Sequence, residues 1–471
     1  MKSLEGIGVG EVEEFIGIRG WASSTPGIGG VIKLHVDDFA VDEVLSNGMK
    51  SNDFSVPPHM IPGAGDHLLC VLEKRNRDTL LCLSGIAAAI GVMPASIGMC
   101  GLKDKRAVTR QFVTIPLKFR EAAESVSKII LRNARLVPIK RVSGPVFPHM
   151  LARNQFNVRI RGVKHSPERS AEMVAKTLVF LKATGIPNFF GHQRFGIRRP
   201  VNHLVGRLIV KGRLRDAVKT FVTCSSRLEA PETRHARQEL RAQWSRKDTA
   251  NELPPRLEYE RRLMAYLDEW KEDYVQAMRA LPLRLRKLLV QSYSSYIFNQ
   301  TLSKLLSTGS HLNDPVPGDL VAETDIYGLA RSKFLKVNQY NVQNIRERVE
   351  KGRLVVVLPV PGYEVEIPRG PKGELMARIL DREKLGLEDF KTSCLPEART
   401  QGAYRPVFMN NTVIKLLSTT REDDTCTVAL YLEVTRGGYA TSVLREFMKS
   451  PSPLAYDGEP FDLRRRILES S

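Results

Sequence analysis

At 471 residues the chain is longer than one ordinary domain of roughly 100–200 residues, so two or three domains are expected. Its 71 Lys and Arg against 52 Asp and Glu leave a formal charge of +19, and 42% hydrophobic content is enough to bury large cores, which excludes a mostly disordered chain. Such a charge points to a polyanionic partner, because a basic surface attracts phosphates and releases their counterions; charge alone does not separate RNA from DNA or an anionic membrane.

The first residues are acidic (Glu5, Glu11, Glu13, Glu14), unlike the basic and apolar blocks of a secretory leader. From 30 to 165 short β-rich runs (Val31–Val36, Leu68–Leu72, Gln111–Ile115, Phe156–Ile160) mix with helical stretches at 79–92 and 119–131, an α+β pattern. The near-apolar run Leu80–Met93 is broken by Ser84, Gly85 and Gly91 and falls short of the roughly 18–20 residues that cross a bilayer, so no membrane association is expected. After Pro200 the character turns helical: 203–222, a charged stretch at 228–250 that reads as a solvated helix, then 256–280 and 283–307. From about 315 β-like segments return (Leu354–Val360, Val407–Met409, Thr425–Glu433), and a last helix starts near Ala440. Six cysteines at 70, 82, 100, 224, 394 and 426 form no CxxC pair and read as buried reduced thiols in a cytoplasmic protein without a structural zinc.

The positive charge is clustered. Leu131 to His165 holds eight basic residues and no Asp or Glu, and Gly191 to Thr220 holds eight more against Asp216 alone. Phe156, Asn157, Phe189, Phe190, His192 and Gln193 are interleaved with them, a mixture that suits unstacked bases, and Arg198, Arg199, Arg207 and Lys211 are expected to track phosphates.

Two segments carry chemistry. Gly98 to Gln111 sets Asp104 among Lys103, Lys105, Arg106 and Arg110 on a glycine-punctuated turn. Those cations favour a carboxylate that could act as nucleophile, base or electrostatic stabiliser. On composition alone, a turn aspartate accepting backbone N–H groups is the stronger reading. Gly185 to Gly196 gathers aromatics, amides and Arg194 between glycines; it offers a stacking face to a flipped base, and reads equally well as a turn whose phenylalanines fill a core. It lacks the Lys-Ser/Thr of a phosphate loop.

Together these segments resemble the TruD-type pseudouridine synthases. Gly101 to Gln111 matches the pattern G-x-K-D-x-x-A-x-T-x-Q at every fixed position, and Pro187 to Gly196 matches P-N-x-F-G-x-Q-R-F-G in full. Ile32 to Glu43 meets I-K-x-x-P-E-D-F-x-V-x-E more loosely, with Val36 for proline and Asp37 for glutamate. Lys74 to Thr79 resembles K-x-N-x-D-T, Gln291 to Asn299 the A-Y-x-S-Y-x-F-N helix, and Gly438 to Glu446 the element near the C-terminus.

The resemblance implies an α+β catalytic domain around a mixed sheet, here 1–206 and 400–471, interrupted by an inserted α/β TRUD domain at 207–399, with a basic RNA channel between them. It implies isomerisation of uridine to pseudouridine in RNA, with uridine 13 of tRNA as the expected target. Asp104 matches the catalytic aspartate, Phe190 the stacking aromatic and Asn188 the amide at the base edge. Lys33, Phe39, Lys103 and Arg194 complete the expected substrate-binding set. Whether Asp104 attacks C6, attacks C1′ or deprotonates the sugar stays open. Nothing leaves in the reaction, so no cofactor is expected; nor is a metal, an obligate protein partner or an oligomer. A non-catalytic RNA-binding or RNA-folding protein on the same fold and a metal-dependent nuclease are the alternatives. An anion in a phosphate-attracting cleft argues against the first, and the need for several convergent carboxylates against the second.

Overall fold

Phe39–Leu45, His67–Arg75, Val108–Pro116 and Leu354–Val360 form strands buried along most of their length. The computed structural model describes residues 4–54, 63–117, 126, 129–244, 249–251, 253–309 and 312–458. The strands are β1 (Phe39–Leu45), β2 (His67–Arg75), β3 (Gly98–Met99), β4 (Val108–Pro116), β5 (Ala134–Val142), β6 (Leu151–Val163), β7 (Leu320–Thr324), β8 (Ala330–Lys336), β9 (Leu354–Val360), β10 (Ala403–Pro406), β11 (Val413–Glu422) and β12 (Thr425–Thr435). The larger sheet runs β11-β12-β6-β1-β4-β2-β5, with β3 on β4; β7 to β10 form a smaller one in the order β10-β9-β7-β8. β1 and β4 pair in parallel and their described neighbours run antiparallel, so the large sheet is mixed and the fold is α+β, as expected.

The joining of β12 to β6 brings residues near 430 against residues near 160. Helix Thr79–Ile90 covers one face of β2 and β4 through Cys82, Leu83 and Ile86, on Leu68, Leu72 and Val113. Helices Pro167–Thr184 and Ala440–Met448 cover Phe39, Val41, Leu430 and Leu432. The largest core surrounds helix Leu283–Ser307 and reaches Phe189, Phe190 and Phe195 on one side and β9 on the other.

Several boundaries moved for identifiable reasons. Residues 31–36 are not a strand: Val31 makes one bridge to Arg161, Lys33 sits at φ 60, and the Asp38 carboxylate accepts from the His35 N–H to close a turn, so β1 starts only at Phe39. The 203–222 helix splits into Asn202–Val210 and Leu214–Thr223 at Gly212, φ 70, and 256–280 splits into Glu258–Glu269 and Tyr274–Arg279 beside Glu272, φ 63. The strand expected at 407–409 is displaced to Ala403–Pro406, which pairs with β9 of the small sheet. The helix expected at 228–250 spans Pro231–Ala242 and is not simply solvated, because it buries Arg237 between Glu229 and Glu260. Most of the helix expected at 119–131 lies outside the described residues.

Candidate active site

Asp104 lies on the 100–107 loop between β3 and β4, and the loop is held by its neighbours' side chains. Gln111 donates its amide to the Gly101 carbonyl at 3.2 Å, and the Thr79 hydroxyl accepts from the Lys103 N–H at 3.3 Å. Lys74, fully buried in β2, donates its ammonium to the Asp104 carbonyl at 2.6 Å; burial pushes that ammonium down to about 8. The Asp104 carboxylate is partly exposed, with the Lys33 ammonium 3.4 Å from Oδ2 and the Gln193 amide donating to Oδ1 at 3.0 Å. Lys33 is itself buried, 4.4 Å above the Phe39 ring. The arrangement leaves an oriented carboxylate reachable from solvent, which can serve as nucleophile or base.

The 187–196 segment brings Gln193 to Asp104 and is clamped on three sides. Pro187 bridges Phe408, and the Asn188 N–H donates to Val407. Asn299 of the long helix accepts from the Phe190 N–H and donates back to the Phe190 carbonyl, at 2.9 and 3.1 Å. Ser442 donates to the Phe189 carbonyl, and Gly191 approaches Thr441 and Tyr439 so closely that a Cβ would lie 3.0 Å from the Thr441 hydroxyl. Arg194 donates to Ser295 at 3.2 Å and to Gln291 at 3.5 Å. Apart from Val407 and Phe408, these partners come from the two sequence patterns at 291–299 and 438–446, so four separated motifs meet around the segment that reaches Asp104.

Asn188, Phe190 and Arg194 line a cavity of about 370 Å³, together with residues of the small sheet and the end of β12. Phe190 is nearly buried, edge-on to Phe298 and Tyr439, and the Arg405 guanidinium lies 4.1 Å over its ring. Arg405 also donates to the Asn188 carbonyl at 2.9 Å and to Asn188 Oδ1 at 2.5 Å, while Asn188 Nδ2 donates to Pro406. The amide and ring expected to meet a base are therefore engaged by protein groups in this state.

The sequence profile of the family described as tRNA pseudouridine synthase D (TruD) matches residues 15–447. The chain belongs to the TruD family. It is 33% identical to a relative from Methanosarcina mazei over 94% of this chain and 98% of that one. It is 34% identical to one from Methanopyrus kandleri, over 82% and 87% respectively. Both bear the name probable tRNA pseudouridine synthase D. The crystal structure of a TruD protein from Methanosarcina mazei superposes with a TM-score of 0.78 at 32% identity, covering 95% of this chain and 100% of that one. TruD enzymes are isomerases, and their mixed-sheet α+β fold is the fold described above.

Of the residues expected from the TruD resemblance, Asp104, Lys33 and Phe39 form one group, and Asn188, Phe190 and Arg194 a second; segment 188–194 joins them. Phe39 lies under Lys33, 1% exposed, so it supports the lysine and offers no face to a base. Lys103 joins neither group: its ammonium turns into the sheet, 2.5 Å from the buried Glu43 carboxylate, because an unpaired carboxylate there would be costly. Three residues at the site were not assigned there from the sequence, although Gln193 was noted among the amides suited to bases. Gln193 and Lys74 stand at fixed positions of the quoted patterns and were legible as such, whereas Arg405, on a four-residue strand, carried no signal. Among the described residues no group of three or more His, Cys, Asp or Glu could hold a metal ion, and no helix is long and apolar enough to cross a membrane.

Proposed function

We propose that this chain isomerises uridine to pseudouridine in tRNA, at uridine 13, with Asp104 as the catalytic residue. The observation that carries the proposal is the mounting of Asp104: its backbone is held by a buried ammonium, while its carboxylate stays reachable between Lys33 and Gln193. That geometry keeps one carboxylate oriented toward the sugar or base, as each of the three candidate steps requires. Asn188 and Phe190 shape the base site from behind Arg405, which lies over the ring and donates to the amide oxygen. The names borne by the relatives support tRNA as substrate. The enzyme acts as a cytoplasmic monomer, and the chemistry needs no cofactor because the base is detached, turned and rejoined through C5, which gives up its proton while N1 gains one, so the composition is unchanged.

The catalytic domain is read as 1–206 and 400–471 around the inserted 207–399, with one shift. Ala403–Pro406 hydrogen-bonds into the small sheet and goes with the insert. Tritium release from C5-labelled uridine in tRNA, measured in EDTA, tests the activity. Asp104→Asn keeps the shape and removes the charge, so turnover should fall by several kcal/mol of transition-state stabilisation while tRNA affinity stays close to wild type. A variant retaining more than about a tenth of the wild-type rate would exclude Asp104 as the catalytic group.

A further inference from the structure

We infer that the cavity beside Phe190 is a phosphate subsite, in which Arg194, Arg405 and Arg436 take the RNA backbone next to the nucleotide presented to Asp104. The inference rests on the RNA substrate proposed above and adds the groups that hold its backbone.

Three arginines line this cavity and none of its lining residues is Asp or Glu. They come from three parts of the chain: Arg194 from the second motif, Arg405 from β10 and Arg436 from the turn after β12. Each guanidinium is held by neutral groups. Arg194 donates to Ser295 and Gln291; Arg405 donates to the Asn188 backbone and side-chain oxygens and to the Gly437 carbonyl at 2.9 Å; Arg436 donates to the Pro148 carbonyl at 2.9 Å. No ion pair joins any of the three to a carboxylate among the described residues.

Elsewhere the chain pairs its buried arginines. Arg237 meets Glu229 and Glu260, and Arg445 meets Glu13 and Glu446. Arg194, Arg405 and Arg436 are half-buried and keep neutral partners only, so their charge is left to act on whatever enters the cavity. Burial lowers the Arg405 guanidinium to about 10, and nearby Arg194 adds to that effect. An anion between them would relieve both penalties.

The acceptors around Arg405 indicate that it stays in place when RNA binds. Three oxygens converge on one guanidinium, whereas a uracil joined to ribose through N1 has a single N–H, at N3, to offer them. Arg405 is thus a wall of the pocket, and a phosphodiester, whose single negative charge is shared by two oxygens, is the complementary ligand for its remaining N–H groups and for its two neighbours. The cavity's 370 Å³ falls within the range of about 300–1,000 Å³ typical of ligand sites.

The test is tRNA binding by the full chain across a salt series, for wild type, Arg436→Gln and Arg405→Gln, each with its melting temperature. Removing a phosphate-binding arginine should weaken binding about tenfold and reduce the slope of log Kd against log salt by about one. RNA oligonucleotides that each carry one neutral methylphosphonate then locate the contact. One position near the target uridine should cost the wild type a similar factor and cost Arg436→Gln nothing more. Should Arg405→Gln unfold through loss of its hold on Asn188, Arg436→Gln carries the test. An unchanged salt slope in a folded Arg436→Gln, or losses that add at every methylphosphonate position, would overturn the subsite. So would competition by inorganic phosphate at the affinity of tRNA, which would mark a small-anion site. Tritium release separates the two readings. Phosphate coupling without turnover removes the catalytic proposal and keeps the subsite; turnover without coupling does the reverse.

Discussion

Lys74 carries a positive charge in the body of the sheet, where its ammonium holds the backbone of the residue proposed for catalysis. Burial lowers it from 10.5 to about 8. Below about pH 8 the folded and unfolded chains both carry the proton, so the cost of burying the charge is fully present. Between about 8 and 10.5 the folded chain releases its proton first, and stability rises with pH by on the order of 3 kcal/mol in all. The effect on the loop has the opposite sign, because a neutral amine loses the charge-assisted part of its bond to the Asp104 carbonyl. The turnover rate should therefore fall as pH rises through about 8, over a range in which the melting temperature does not drop. Lys74→Met should lower the rate at every pH and abolish that alkaline limb; a limb that persists in the variant would assign it to another group.

At the scale of elements, the one-turn helix Val12–Phe15 is fastened to helix Ala440–Met448 by a buried ion pair. Arg445 donates through Nε to the Glu13 carboxylate at 2.9 Å, its Nη2 lies 2.8 Å from Glu13 Oε2 and donates to the Gly20 carbonyl, and its guanidinium lies 3.8 Å over Trp21. Burial alone would raise the Glu13 carboxyl, but Arg445, aided by His192, outweighs it and brings it to about 2. The sign follows: the pair's stabilisation is present above about pH 4.5 and is lost as pH falls toward 2. His192 belongs to the second motif and stacks on Tyr456, so the same fastening reaches the loop that meets Asp104. Glu13→Gln leaves Arg445 with Glu446 as its remaining carboxylate and should cost, in urea unfolding, less than the about 3–5 kcal/mol of a fully unpaired buried charge. The variant should also unfold less steeply with acid than wild type.

For the molecule as a whole, the +19 charge is not spread evenly over an RNA-facing surface. Part of the basic run near 200 works inside the fold. Arg199 pairs with Glu260 at 3.0 Å beside Arg237 and Glu229, and Arg207 pairs with Glu383 at 2.8 Å. These two were expected to track phosphates, and the fold uses them as struts. Lys105, exposed next to Asp104, is better placed for the RNA. Affinity for tRNA should fall steeply with salt, and Lys105→Glu should reduce the salt slope by about one. Arg199→Glu should instead fail in thermal melting, because it sets a third carboxylate among buried Glu229 and Glu260 with only Arg237 to offset them. A folded Arg199→Glu with a flattened salt slope would restore the surface reading.

What the sequence determined by itself was local or carried in motifs. The bounds of Leu283–Ser307 and Leu354–Val360 were readable because the first is a long stretch free of glycine and proline and the second a short, mostly β-branched run. The Asp104 and Asn188–Phe190 segments were readable because the spacing of glycines, amides and charges there answers to a family pattern. Tertiary structure decided which of those side chains face one another. Lys103 and Lys33 are equally basic in sequence, yet Glu43 captures one and Asp104 holds the other. Phe190 was legible as an aromatic in a motif but not as a ring already covered by Arg405, which comes from a strand more than two hundred residues away. Charge and hydrophobicity are properties of a residue, whereas burial and pairing belong to the neighbours that the fold assembles. The partner of each arginine in this basic chain was therefore decided only when the two sheets and the long helix came together.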